Sequence, residues 1–171
     1  LVSGAERDAK VQLITNEVGC VARKSIIQVG NNVLFLSDNG VYGANFQDLY
    51  NLRGNEVPLS SSINPVIQRI NRTVWDKSVA VYFDNRYYLA VALDNSSVNN
   101  AILIYNFINK QWESIDTTED INWNILDLIV AGKKTDRAVY AINTLGGLHK
   151  IDARADALDV LATEITTEEN P

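Results

Sequence analysis

The chain has 171 residues, 46% hydrophobic and 21% charged, a globular rather than a disordered composition and enough chain for one domain with a real core. No apolar run approaches the roughly 18–20 residues that a membrane helix requires, and the first residues lack a signal-peptide pattern. The formal charge of −6 sits mostly in residues 152–171, where six acids face one base; residues 1–151 carry 15 acids and 14 bases, so a basic footprint for nucleic acid is absent.

The chain contains no Met and begins at Leu1, which points to processing or to a piece of a longer polypeptide. Cys20 is alone, so neither an intrachain disulfide nor a Cys-based metal cage can form.

In chain order, Leu1–Lys10 reads as a connection and Val11–Ile14 as a short strand. A three-strand group follows: SIIQV, a Gly30-Asn31-Asn32 turn, VLFLS, an Asp38-Asn39-Gly40 turn, and VYGANF. Asn39-Gly40 between apolar runs is the strongest hairpin signal in the chain and predicts a type I′ turn. Asp48–Ser62 has turn residues and no period, and reads as a loop. Asn64 then caps a predicted helix over Pro65–Val74, with Pro65 in the first turn and Val66, Ile67, Ile70 and Val74 on one face.

Ser78–Asp116 is the most regular stretch. Four segments rich in β-branched and aromatic residues (SVAVYF, RYYLAVAL, AILIYNF, QWESID) are joined by Asp84-Asn85, by Asp94–Asn100 and by a turn at Asn109-Lys110. The last segment is the most polar, which suits an outer edge strand. After an acidic joint at Thr117–Asp120 come LDLIVAG, RAVYAIN and LHKIDA, with Gly146-Gly147 between the last two. Val160–Thr166 offers a fourth strand before a frayed Glu168–Pro171. The expected fold is all-β: antiparallel four-stranded blades of a partial β-propeller in one domain over 1–171, with one short helix between blades and an acidic C-terminal segment over 152–171. Three groups do not close a ring of four or more blades, so the missing blades are expected in flanking sequence.

Residues that could carry chemistry are few. His149, the only histidine, follows a Gly-Gly turn and has no nucleophile motif beside it, so it reads as a strand-edge residue. Ser37-Asp38-Asn39-Gly40 is similar to an Asp-box hairpin but lacks that motif's following aromatic, and reads as turn chemistry. Asp94–Asn100 offers hard oxygens of the kind Ca²⁺ takes, yet only one of the seven is charged, which favours a solvated loop. Glu119-Asp120 and Glu168-Glu169 read as solvated pairs. Tyr82, Tyr87, Tyr88, Tyr105, Phe107 and Trp112 suit either a carbohydrate-stacking platform or, at strand spacing, the core; the core is favoured. The 19 asparagines fall mostly in joints. Gly146-Gly147 lacks the strand-loop-helix setting of a phosphate loop. No catalytic, cofactor-binding or metal-binding residue is assigned, and no enzyme activity is expected.

Three segments, GCVARKSIIQVGNNVLFLSDNGVY, SSINPVIQRIN and DKSVAVYFDNRYYLAVALDNSSVNNAILIYNFINKQWESID, together resemble the propeller region of the tail nozzle (tail tubular protein B) family of short-tailed bacteriophages. The likeness spans about Gly19–Asp116, more weakly to Ala153, and rests on segment order rather than on a catalytic signature. It implies a virion protein of the phage tail, made in the bacterial host cytoplasm. It implies a ring of identical subunits, commonly a hexamer, that meets adaptor, tail-tube and fibre proteins and lets DNA pass during ejection without binding it specifically. It implies no membrane partner. No gate residue can be matched onto this chain. The stretch YNFINKQWE alone also resembles kelch-type blades, so a kelch- or sialidase-like module binding protein or glycan is the alternative.

Overall fold

The computed structural model describes residues 2–3, 10–11, 18–45, 57–117, 123–133 and 137–151. Two short strands, β1 (Val2–Ser3) and β2 (Lys10–Val11), pair antiparallel, so Val2, Ser3 and Lys10 of the expected connection are strand residues; Val11 opens the expected strand Val11–Ile14, whose other residues lie outside those described. Three antiparallel sheets follow, each in simple up-and-down order. The first holds β3 (Ile27–Val29), β4 (Asn32–Ser37) and β5 (Gly40–Asn45). The second holds β6 (Val79–Phe83), β7 (Arg86–Val91), β8 (Ala101–Asn106) and β9 (Gln111–Thr117). The third holds β10 (Ile125–Ala131), β11 (Ala138–Asn143) and β12 (Leu148–Ile151). The all-β expectation holds. Four strands are found only in the second sheet, and the first and third have three each among the described residues. The fourth strand expected at Val160–Thr166 lies outside those residues, as do Glu119-Asp120, Glu168-Glu169 and most of the Asp48–Ser62 loop.

The second sheet sits between the other two. Tyr87, Leu89 and Val91 on β7, with Ala101, Leu103 and Tyr105 on β8, pack against Leu34, Leu36 and Val41 of the first sheet. From the opposite face, Tyr88, Ala90, Ile102 and Ile104 pack against Leu128, Val139, Ala141 and Ile151 of the third. Coverage on both faces explains why β7 and β8 read as unbroken apolar runs rather than alternating ones. Each fully buried Leu, Val or Ile there is worth about 1.5–3 kcal/mol relative to exposure. β9 is the half-exposed outer strand, as its polarity predicts.

The first strands of the three sheets converge: β6 touches both β3 and β10. Lys24, in the 3-10 turn Arg23–Ser25 that leads into the first sheet, reaches past β6 to Asp127 on β10, with 2.7 Å between Nζ and Oδ2.

Local turn chemistry agrees with the sequence in some joints and not in others. Asp84 and Asn85 both take positive φ (47° and 59°), giving the tight hairpin expected between Phe83 and Arg86. The Asn39-Gly40 hairpin exists, but Ser37 pairs with Gly40, so its two loop residues are Asp38 and Asn39. Neither has positive φ, so the turn is not type I′. Gly40 instead begins β5 at φ 136°, where a β-carbon would overlap Ser60 Oγ and lie 3.2 Å from Pro58 Cβ. Close approach of the 58–60 segment, sealed by Leu59 N donating to Val41 O and Val41 N to Ser60 Oγ, is what requires glycine. The last hairpin of the second sheet is longer than expected, with Phe107–Lys110 as its loop and Lys110 at φ 53°.

The helix predicted over Pro65–Val74 is corrected to one turn, α1 (Asn64–Ile67), preceded by a 3-10 turn at Ser61–Ile63. Asn64 is its first residue and not a cap; no side chain caps it. The helix stops because the next residues take strand-like bonds: Ile70 bridges Leu93, Asp94 N donates to Arg69 O, and Asn71 N donates to Ala92 O. Asn71 Oδ1 then accepts from Thr73 N and Oγ1, a local bond that competes with helix. Ile67 and Ile70 are buried as the apolar face requires.

Candidate functional site

A group of bonded polar residues lies where the chain enters the first and second sheets. A Lys-Ser pair precedes the first strand of each: Lys24-Ser25 before the first sheet and Lys77-Ser78 before the second. Each Ser closes a 3-10 turn, with Ser25 N on Ala22 O and Ser78 N on Trp75 O. Ser25 is wholly buried; its hydroxyl donates to Ala22 O at 2.7 Å and accepts from Leu36 N at 2.8 Å. The Ser25 carbonyl takes the Tyr87 hydroxyl at 3.0 Å. Burial, with a smaller contribution from Cys20, pushes the Tyr87 phenol far above its ordinary range, so it is a fixed donor.

Asn99 joins the second sheet to the third. Its side-chain Nδ2 donates to Lys77 O at 2.8 Å and to Ile125 O at 3.0 Å, while its backbone carbonyl accepts from Ile125 N. Several other groups of the Asp94–Asn100 loop are also bonded. Asn100 Oδ1 accepts from Leu93 N, Ser96 O from Asn71 Nδ2, and Ser97 O from Lys77 Nζ. Asp94 pairs with Arg69 through both carboxylate oxygens, and that hydrogen-bonded pairing holds the carboxyl below its ordinary value. The loop's oxygens thus serve the fold.

At the other end of the second sheet, a bulge between Ile104 and Tyr105 makes Glu113 the extra residue of β9. Its Oε2 accepts from Arg86 Nε at 2.7 Å and its Oε1 from Asn106 Nδ2. Burial alone would raise the Glu113 carboxyl, but these two bonds outweigh it and hold the group below the usual range. Asn106 Oδ1 accepts from Ile108 N and Asn109 N, so the same residue shapes the hairpin.

The sequence candidates are scattered rather than gathered. His149 is exposed on β12, with Nε2 3.0 Å from Asn143 Nδ2. That Asn143 side chain also accepts from Leu145 N and Gly147 N, which makes it the organiser of the Gly146-Gly147 hairpin. Cys20 is exposed and its thiol lies 3.1 Å from Ala22 O. Ser37 Oγ donates to Asp38 within the turn. Tyr87, Tyr88 and Tyr105 are core residues, and Tyr82, Phe107 and Trp112 are half-buried in edge-to-face chains (Tyr82–Phe107, Tyr105–Phe107, Tyr105–Trp112) at 5.2–5.6 Å. Among the described residues no three His, Cys, Asp or Glu side chains are grouped to hold a metal ion, and no helix is long and apolar enough to cross a membrane.

Sequence reasoning missed Ser25, Ser78, Asn99, Asn143 and the Lys24–Asp127 pair. The repeated Lys-Ser before an apolar strand was the signal available for the first two. The chain matches no protein-family model, no curated protein and no solved structure.

The third sheet carries the surface of most interest. Its inner face is covered by the second sheet. On its outer face, Ile129 lies opposite Tyr140, and Ile142 opposite Leu148. Ile129 is 37% and Leu148 58% exposed, and Leu145 at the adjoining turn is 72% exposed.

Proposed function

We propose that the chain is a propeller-type structural module of a bacteriophage tail, of the nozzle kind, and that it works by assembly rather than by catalysis. The observation that carries this reading is the outer face of β10–β12. It carries Ile129, Tyr140, Ile142 and Leu148 side by side, flanked by Asp127 and Lys150, and Ile129 and Leu148 are exposed rather than covered by a further sheet among the described residues. Convergence of β3, β6 and β10, with the second sheet laid face to face on the first and third, supports a reading as radially repeated blades. A further sheet laid on Ile129, Tyr140, Ile142 and Leu148 continues that stacking. In a ring, one such heterologous contact repeated between identical subunits closes the assembly. The near-neutral body of residues 1–151 suits a wall past which DNA slides, since strong capture needs several Lys or Arg on one face.

The alternative, a glycan- or protein-binding propeller, is supported less well because Tyr87, Tyr88 and Tyr105 are core residues and the half-buried Tyr82, Phe107 and Trp112 spend their faces and edges on ring-to-ring contacts. Electron microscopy of the full-length protein tests the proposal. Rings, or density at a tail tip, are expected. Monomers with a hydrolytic activity that is lost in His149→Ala would overturn it.

A further inference from the structure

Two buried polar atoms stand out from an otherwise satisfied interior. Ser78 Oγ and Asn99 Oδ1 have no hydrogen-bond partner among the described residues, although Ser78 is 0% and Asn99 2% exposed. Leaving such groups unpaired forfeits their hydration with nothing in return, so an interior this well bonded does not leave two of them bare without a reason. They are neighbours through the backbone. Asn99 Nδ2 sits 2.8 Å from the Lys77 carbonyl, and that carbonyl belongs to the peptide leading into Ser78.

The orientation of the amide is fixed by its surroundings. Reversing it would set Oδ1 against the Lys77 and Ile125 carbonyl oxygens, two acceptors facing an acceptor. Asn99 Oδ1 is therefore the acceptor left without a donor. Ser25 shows that the Ser78 position has another option. In the matching turn the Ser25 hydroxyl folds back onto Ala22 O and is capped by Leu36 N. Ser78 has the same backbone bond, to Trp75 O at 2.9 Å, but its hydroxyl does not follow.

We infer that Ser78 Oγ and Asn99 Oδ1 hold one internal water at the joint between the second and third sheets. The ligand has to donate to an amide oxygen and pair with a hydroxyl that can donate or accept. It also has to be neutral, since no His, Cys, Asp or Glu cluster among the described residues offers charge to an ion. Water meets these demands, and a second lone pair on the Lys77 or Ile125 carbonyl completes the roughly three bonds that buried waters make. Asn99 would then tie together β6, β10 and the solvent molecule between them, which makes it a positioning residue for the stacking of one sheet on the next.

Oxygen-17 magnetic relaxation dispersion of the full-length protein, together with a high-resolution crystal structure of the unmodified protein, tests this. Ser78→Val fills the space with methyl groups, and the dispersion step is expected to fall by the increment of one long-held water. Electron density in the unmodified protein is expected to show a solvent peak within hydrogen-bond distance of both atoms. An unchanged step in a folded Ser78→Val protein overturns the inference. So does density with the Ser78 hydroxyl turned onto Trp75 O, as in Ser25, and no peak beside Asn99. If Ser78→Val does not fold, the crystal structure alone decides.

Discussion

The Tyr87 hydroxyl donates to the Ser25 carbonyl at 3.0 Å, across 62 residues of chain, and this one bond fastens the buried middle of the second sheet to the turn that launches the first. Both residues are 0% exposed, so neither atom has water to fall back on. Tyr87→Phe is expected to keep the ring packing and orphan the carbonyl. The expected loss is about 1–3 kcal/mol, read from urea unfolding at unchanged m-value. A loss near zero would show that the carbonyl finds another donor.

Gly40 and Gly147 are required for different reasons, and their substitutions should behave differently. Gly40→Ala meets both a φ of 136° and the Ser60 hydroxyl, so a loss of about 1–3 kcal/mol is expected, while Gly43→Ala, with open space at its β-carbon, is expected to stay near zero. At Gly147 a β-carbon would come within 2.7 Å of Asn143 Nδ2, so the clash is with a side chain. Removing that side chain should relieve it. Asn143→Ala combined with Gly147→Ala is expected to be less destabilising than the sum of the single changes. Simple additivity in thermal unfolding would sink this account of the hairpin.

Glu113 should appear in the pH dependence of stability. Its folded value lies below the ordinary 4.5 because of Arg86 and Asn106, against the opposing effect of burial. A depressed carboxylate contributes stability that is present above the unfolded value and is lost as pH falls through the folded one. Melting temperatures of the unmodified protein and of Glu113→Gln are therefore expected to differ most at neutral pH and to converge as pH falls below 4.5 and through the depressed folded value. A difference that stays constant from pH 7 to pH 3 would mean that the charge on Glu113 adds nothing.

Much of this fold is legible in the sequence, and the parts that are not have a common cause. Strand segments in 25–46, 78–116 and 126–151 can be read from β-branched runs and turn residues because those signals are local. Asp84-Asn85 is readable for the same reason. Helix length at Pro65–Val74 is not, because the bond between Ile70 and Leu93 that ends α1 depends on a partner 23 residues away. The role of Gly40 is hidden likewise, since its constraint comes from Pro58 and Ser60 rather than from its own turn. Asn99 looks like one more loop asparagine until its contacts with Lys77 and Ile125 are seen. The candidate site is thus the least legible part, being made of long-range contacts between sheets.

Assembly through the outer face of the third sheet gives the most direct test of the proposed function. Ile129, Tyr140, Ile142 and Leu148 lie on the face opposite Leu128, Val139 and Ala141, so charges placed there need not enter the core. The double change Ile129→Asp and Leu148→Asp puts two carboxylates on a surface meant to be covered. Desolvating an unpaired charge in an apolar contact costs several kcal/mol, enough to shift an association equilibrium by orders of magnitude. Light scattering behind size-exclusion chromatography is expected to show an assembly for the unmodified full-length protein and smaller species for the variant, with the circular dichroism of β-structure retained. Asp at Ile108, which is 71% exposed on the Phe107–Lys110 hairpin away from this face, should leave the assembly unchanged. If the double variant assembles like the unmodified protein, the outer face of β10–β12 is not the surface by which these subunits meet, and the ring must close elsewhere.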